Sequence, residues 1–214
     1  MSWLPSLSIL KVSECPALKS DPEILSKFAT LKTVEVVNYV KPSPLLAALA
    51  SLKKLKNLKL IGCNFTTEPD NLLDEVVECD YRSAFLSLDL AQTLVSLTIE
   101  RCAGFIAFSD SVDSMKTIQK LKIVECEDFK LLPAKISEYE ELTTVEVSGC
   151  TSFSELPANI GECKRLRSLV LRGCVGLKEL PKSIMDCDSL QEVDISNTVI
   201  RMAEGLKAVH LITE

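Results

Sequence analysis

Residues 142–181 read LTTVEVSGCTSFSELPANIGECKRLRSLVLRGCVGLKELP, and this stretch decides the fold. Leu142, Val145, Val147 and Cys150 are answered 24 residues later by Leu166, Leu169, Leu171 and Cys174. Phe153 and Leu156-Pro157 are answered by Leu177 and Leu180-Pro181. The same frame extends in both directions. Its first aliphatic recurs at Leu7, Leu31, Leu55, Leu94, Ile118, Leu142, Leu166 and Leu190, and only the 39-residue step from Leu55 to Leu94 departs from 24. A fixed period in this range predicts a solenoid, in which each unit is one coil that cannot bury its apolar side alone.

Within a unit the aliphatics alternate with period two, which predicts a short strand with one face turned inward. Strands of successive coils would pair in parallel, about 4.8 Å apart. The Phe or Leu and the Leu-Pro step would fill the far side, where proline removes a backbone donor and bends the chain back. Cys15, Cys63, Cys102, Cys126, Cys150 and Cys174 all stand just after the strand, with Tyr39 and Thr198 in the same place in the second and eighth units. Their period is that of the core aliphatics, so they read as reduced, inward-facing thiols whose weak donors meet backbone carbonyls.

The 214 residues are 47% hydrophobic and only 5% aromatic, enough for a substantial core in a thin coil stack. A net charge of −6 lacks the basic footprint that nonspecific nucleic-acid binding needs. No apolar run is long enough to span a membrane. The nine cysteines include no Cys-x-x-Cys pair, so no metal site is expected. Their odd number, their lock to the repeat and the absence of a basic-then-apolar leader over Met1–Leu10 favour a reducing compartment, cytoplasmic or nuclear. The single histidine, His210, sits near the C-terminus, away from thiols expected in the core, and no phosphate-binding loop is present. The chain therefore reads as a non-enzyme without cofactors, catalytic residues or metal ligands.

The frames Ile118–Pro133, Leu142–Pro157 and Leu166–Pro181 identify leucine-rich repeats, and Leu156–Ile184 resembles the C-terminal repeats of plant intracellular nucleotide-binding immune receptors. The resemblance implies an α/β fold: a leucine-rich repeat solenoid, a curved horseshoe of about eight repeats with one parallel sheet on the concave face. It also implies plant defence, as the ligand- or effector-sensing region of such a receptor or a stand-alone relative. The receptors' nucleotide-binding motif is missing from this sequence. A constitutive intracellular scaffold, or a regulatory subunit of another enzyme, is the alternative.

Residues 1–214 are expected to form one such domain, with an insertion at about 64–93. Inside the insertion the spacing predicts an acidic amphipathic helix over 70–80, read as a solvated helix that widens the convex side, with a partner-docking element as the alternative. Another helix is predicted at Pro44–Leu52, capped by Ser43. Solenoid ends need covers, so a flanking domain, an oligomer partner or Trp3 would close them. A protein partner is expected on the concave face. There the outward-pointing Val37, Ile61, Lys122, Val124, Glu146 and Arg172 offer apolar contacts rimmed by charge. Neither nucleic acid nor a membrane span is expected.

Overall fold

The computed structural model describes residues 6–15, 22–40, 42–49, 51–66, 93–108, 115–200 and 210–213. The predicted 70–80 helix, Cys79 and the Trp3 cover lie outside them. The strands are β1 (Ile9–Ser13), β2 (Thr33–Val37), β3 (Asn57–Ile61), β4 (Ser96–Glu100), β5 (Lys120–Val124), β6 (Thr144–Ser148), β7 (Ser168–Val170), β8 (Glu192–Asp194) and β9 (His210–Ile212). They form one sheet in sequence order, every neighbour parallel. Equivalent repeat positions pair directly, as in Val145 with Leu169. Across the long interval the register still passes cleanly, with Leu58 beside Leu97 and Leu60 beside Ile99. The insertion therefore leaves the strand ladder unbroken.

The α/β class is corrected: this is an all-parallel-β solenoid. An α/β horseshoe would carry helices along its convex side. Here the described returns that follow a Leu-Pro step are 3-10 turns, at Ile136–Glu138, Ile160–Glu162 and Lys182–Asp186. In each, the proline carbonyl accepts the first turn bond, from Ile136, Ile160 and Ile184. Nucleating an α-helix fixes several residues for one bond, and these returns are too short to recover that cost. Among the described residues the one α-helix is α1 (Ser43–Leu49), which begins at the predicted cap residue and ends three residues before the predicted limit.

The core is a set of ladders. Leu31, Val34 and Val36, and their counterparts in later coils, are buried. On the far side Phe105 and Phe129 stack at 5.3 Å between centroids with planes 5° apart, and Phe129 and Phe153 at 5.7 Å and 9°. Such stacking adds about 0.5–1.5 kcal/mol per pair beyond area burial.

The thiol ladder runs between these two sides. Cys63, Cys102, Cys126, Cys150 and Cys174 are buried, and each points its sulfur at a core-strand carbonyl of the preceding coil. Cys15, in the first coil, is only half-buried. The eight described cysteines are free thiols. Burial pushes Cys150 and Cys163 up to about 12 and Cys174 up to about 11. Cys102 is raised as well, by hydrogen bonds shared with Cys126 and Cys63 and by burial.

Each coil turns from strand to ladder through a residue with left-handed backbone. Asn38, Gly62, Gly149, Gly173 and Asn197 take this conformation at little cost. Glu14, Arg101 and Glu125 also take it, with φ of 44°, 50° and 52°, and bear the steric penalty.

Candidate functional site

A strand sends alternate side chains to opposite faces, so what the core does not take lines the open face of the sheet. The burial patterns of β2, β4 and β6 alternate half-buried and buried along all five residues. Register then orders the open face into rows running across the coils. The central row passes from Lys11 to Glu35, Lys59, Thr98, Lys122 and Glu146. The next row passes from Ser13 to Val37, Ile61, Glu100, Val124 and Ser148.

This register makes most of the face charges mutual partners. Lys11 Nζ meets Glu35 at 2.8 Å, and Lys122 Nζ meets Glu146 at 2.6 Å. Glu100 is a hub: Lys59 reaches it at 3.5 Å and Arg101 at 2.6 Å, while Arg101 also touches Glu125 at 3.6 Å. Exposed pairs of this kind stabilise little, about 0–1 kcal/mol each. Their consequence is that the cations and anions of the face largely neutralise one another.

The six residues picked from the sequence fall into separate settings. Val37 and Ile61 are direct register neighbours and form a continuous half-buried apolar step. Val124 belongs to the same row, but Glu100 stands between it and Ile61. Lys122 and Glu146 are bonded to each other. Arg172 lies past the end of β7, and its guanidinium is bound within the chain. It donates to Asp194 Oδ2 from Nη2 at 2.7 Å and from Nε at 3.2 Å, and to Ser196 Oγ at 3.1 Å. Val170, which shares the central row, stands between Glu146 and Asp194.

Asp194 is the buried acid of this group, with only 2% of its surface exposed. Burial raises its pKa, but donors outweigh burial: the Ser196 hydroxyl at 2.5 Å, the Ser196 backbone N–H at 2.9 Å and Arg172. The net effect holds the carboxyl below the usual aspartate range. Neither this clamp nor the role of Glu100 as a hub could be read from residue spacing. Both depend on contacts between coils that become visible only once register is known.

Among the described residues no group of three or more His, Cys, Asp or Glu side chains could hold a metal ion. Among the same residues, no helix is long and apolar enough to cross a membrane.

No family model matches the chain, and no curated protein matches it in sequence. Solved structures do match in fold. The leucine-rich repeat domain of the type III effector XopL is 20% identical with a TM-score of 0.52, over 96% of this chain and 71% of that one. TLR13, solved in complex with ssRNA13, gives 17% and 0.60 over all of this chain and 33% of its own. The Arabidopsis receptor kinase HAESA, solved with the peptide hormone IDA and the co-receptor SERK1, gives 15% and 0.53 over 93% of this chain and 35% of its own. The chain thus spans about a third of the TLR13 chain and of the HAESA chain. At such identities the likeness shows the fold, a leucine-rich-repeat-like solenoid.

Proposed function

We propose that the chain is a protein-recognition module, not an enzyme, and that it binds its partner on the open face of the sheet. The observation that carries this reading is the apolar step Val37–Ile61, with Val124 beyond Glu100, on a face whose neighbouring charges are paired with one another. Half-buried β-branched side chains lose little conformational entropy when covered, and burying apolar surface contributes about 25 cal/mol per Å². Paired charges around them favour a partner that brings its own apolar anchors and a matching polar rim.

Structures with this fold include a receptor kinase solved with a peptide hormone, which supports reading the solenoid as a recognition scaffold. The likeness to TLR13, solved with ssRNA, brings in nucleic acid as a ligand class. The phosphate backbone needs unpaired cations, however, and this face pairs Lys11, Lys59 and Lys122 within a chain of net charge −6. The narrower assignment, a sensing region of a plant-type immune receptor in the cytoplasm or nucleus, rests on the Leu-x-x-Leu-x-Leu-x-x-Cys frames and their Leu-Pro steps.

The test is quantitative capture from native cells with wild type and with Ile61→Lys plus Val124→Lys. Lysine suits these positions because it would flank Glu100, whereas aspartate would set like charges beside it. The double variant should fold and lose the partners that wild type retains. Undiminished capture would place the binding surface elsewhere.

A further inference from the structure

The strands begin along one edge of the solenoid, which carries a backbone ladder of its own. Lys32 N–H donates to the Ser8 carbonyl, Lys56 to Lys32, Val95 to Lys56, Gln119 to Val95 and Thr143 to Gln119, at 2.7–2.9 Å. The short segments on this leading rim are therefore stacked coil upon coil. In coils two to five they are 29–33 (ATLKT), 53–57 (KKLKN), 93–96 (TLVS) and 116–120 (KTIQK), which hold six lysines and no acid. In coil six the equivalent segment, 140–144, starts with two glutamates, and Glu141 is paired there with Arg165 of the next coil.

The contrast with the open face is sharp. There Lys11, Lys59 and Lys122 each meet a carboxylate. On the leading rim Lys32, Lys54, Lys56 and Lys120 are exposed and make no salt bridge among the described residues. Lys32 and Lys56 even stand as like charges on adjacent coils, an arrangement that disfavours the free protein. A chain that is acidic overall has thus gathered unpaired cations into one strip. Such a strip draws an anionic partner and raises its association rate.

We propose that the leading rim of coils two to five binds an acidic segment of a protein, along an edge that borders the sheet face and is centred on Lys32 and Lys56, away from the Val37–Ile61 row. Lys32 and Lys56 stand about one coil spacing apart, roughly 4.8 Å, and with Lys54 and, two coils further on, Lys120, they can meet carboxylates of an extended peptide, whose same-side residues repeat every 6–7 Å or so. A nucleic acid would carry a far denser charge against a net −6 protein, and the described part of this strip holds no exposed aromatic ring for bases to stack on.

The probe is a fluorescent peptide of about twelve residues alternating Glu and Gly, titrated with the full chain and read by anisotropy, since equally spaced carboxylates suffice. Wild type should bind it, and more weakly as salt rises, while the same peptide with Gln for Glu should not bind. Lys32→Glu with Lys56→Glu should lower affinity at least about tenfold, as expected for reversing paired contacts. The milder Lys32→Gln with Lys56→Gln should lower it by less. Lys130→Glu with Lys178→Glu changes net charge equally at exposed sites elsewhere and should leave affinity intact. Ile61→Thr with Val124→Thr alters the sheet face and should also leave it intact, so this proposal and the sheet-face reading fail separately. The proposal is overturned if wild type ignores the Glu peptide or if the 32/56 reversal binds it as well as wild type does. It is equally overturned if a single-stranded oligonucleotide of equal charge binds more tightly through the same lysines.

Discussion

The Cys174 thiol points at the Val147 carbonyl, 3.0 Å away and one coil back, so the sulfur helps to tie successive coils together. Cys150 makes the same contact with Ile123 at 3.5 Å. Because folding raises these thiols to about 11 and about 12, they stabilise the fold fully below the unfolded thiol value, and that contribution is lost as pH climbs through the folded values. Native protein at neutral pH should alkylate Cys150 and Cys174 slowly, with the half-buried Cys15 reacting first. Mass spectrometry of timed alkylation reads this order; equally fast labelling of all three would refute it.

Asp194 supplies a test at the other end of the pH scale. Its folded pKa is depressed, so it contributes stability above the unfolded value of about 3.9, and that contribution disappears as pH falls through the folded value. Asp194→Asn should cost about 1–2 kcal/mol at pH 7, less than for a fully buried pair because Arg172 is exposed. Urea melts of both proteins should converge at strongly acidic pH. A deficit that persists there would show that the carboxylate charge is not what matters.

Two glycines should behave differently for reasons visible in the packing. A Cβ on Gly161 would lie 1.7 Å from the Ser183 carbonyl oxygen of the next coil, which is backbone and cannot step aside. At Gly173 the nearest atoms are 3.5 Å away, and the cost is the left-handed conformation alone, about 1–2 kcal/mol. Gly161→Ala should therefore lower the melting temperature well below that of Gly173→Ala. The reverse order would mean that the coils separate more easily than their spacing implies.

Much of this architecture was legible in the chain. Leu142, Val145 and Val147 and their counterparts define strands because period two recurs inside period 24. The thiol ladder was equally readable, since Cys126, Cys150 and Cys174 share that lattice. The returns were harder to read. Pro133 and Pro157 mark a bend, but only packing decides that the short segment behind each makes a 3-10 turn and not the helix of an α/β horseshoe. Glycine suits the left-handed turns at Gly149 and Gly173, whereas nothing in Arg101 or Glu125 announces the same conformation. On the candidate surface, alternation put Ile61 and Val124 on the open face, but the Lys59–Glu100 pair could not be foreseen. That pair joins a residue of β3 to one of β4 across the long interval, so it depends on a register the spacing alone did not fix. The pairing of Arg172 with Asp194 was hidden for a related reason, because it links neighbouring rows on successive coils.

The most direct measurement is site-specific photo-crosslinking with benzoylphenylalanine placed singly at Ile61, at Val124 and at Met185, which is exposed in the 3-10 turn Lys182–Asp186. If the open face is the recognition surface, crosslinkers at 61 and 124 will capture one common protein from native cells and the crosslinker at 185 will not. A partner captured from 185 and from neither sheet position would contradict the account.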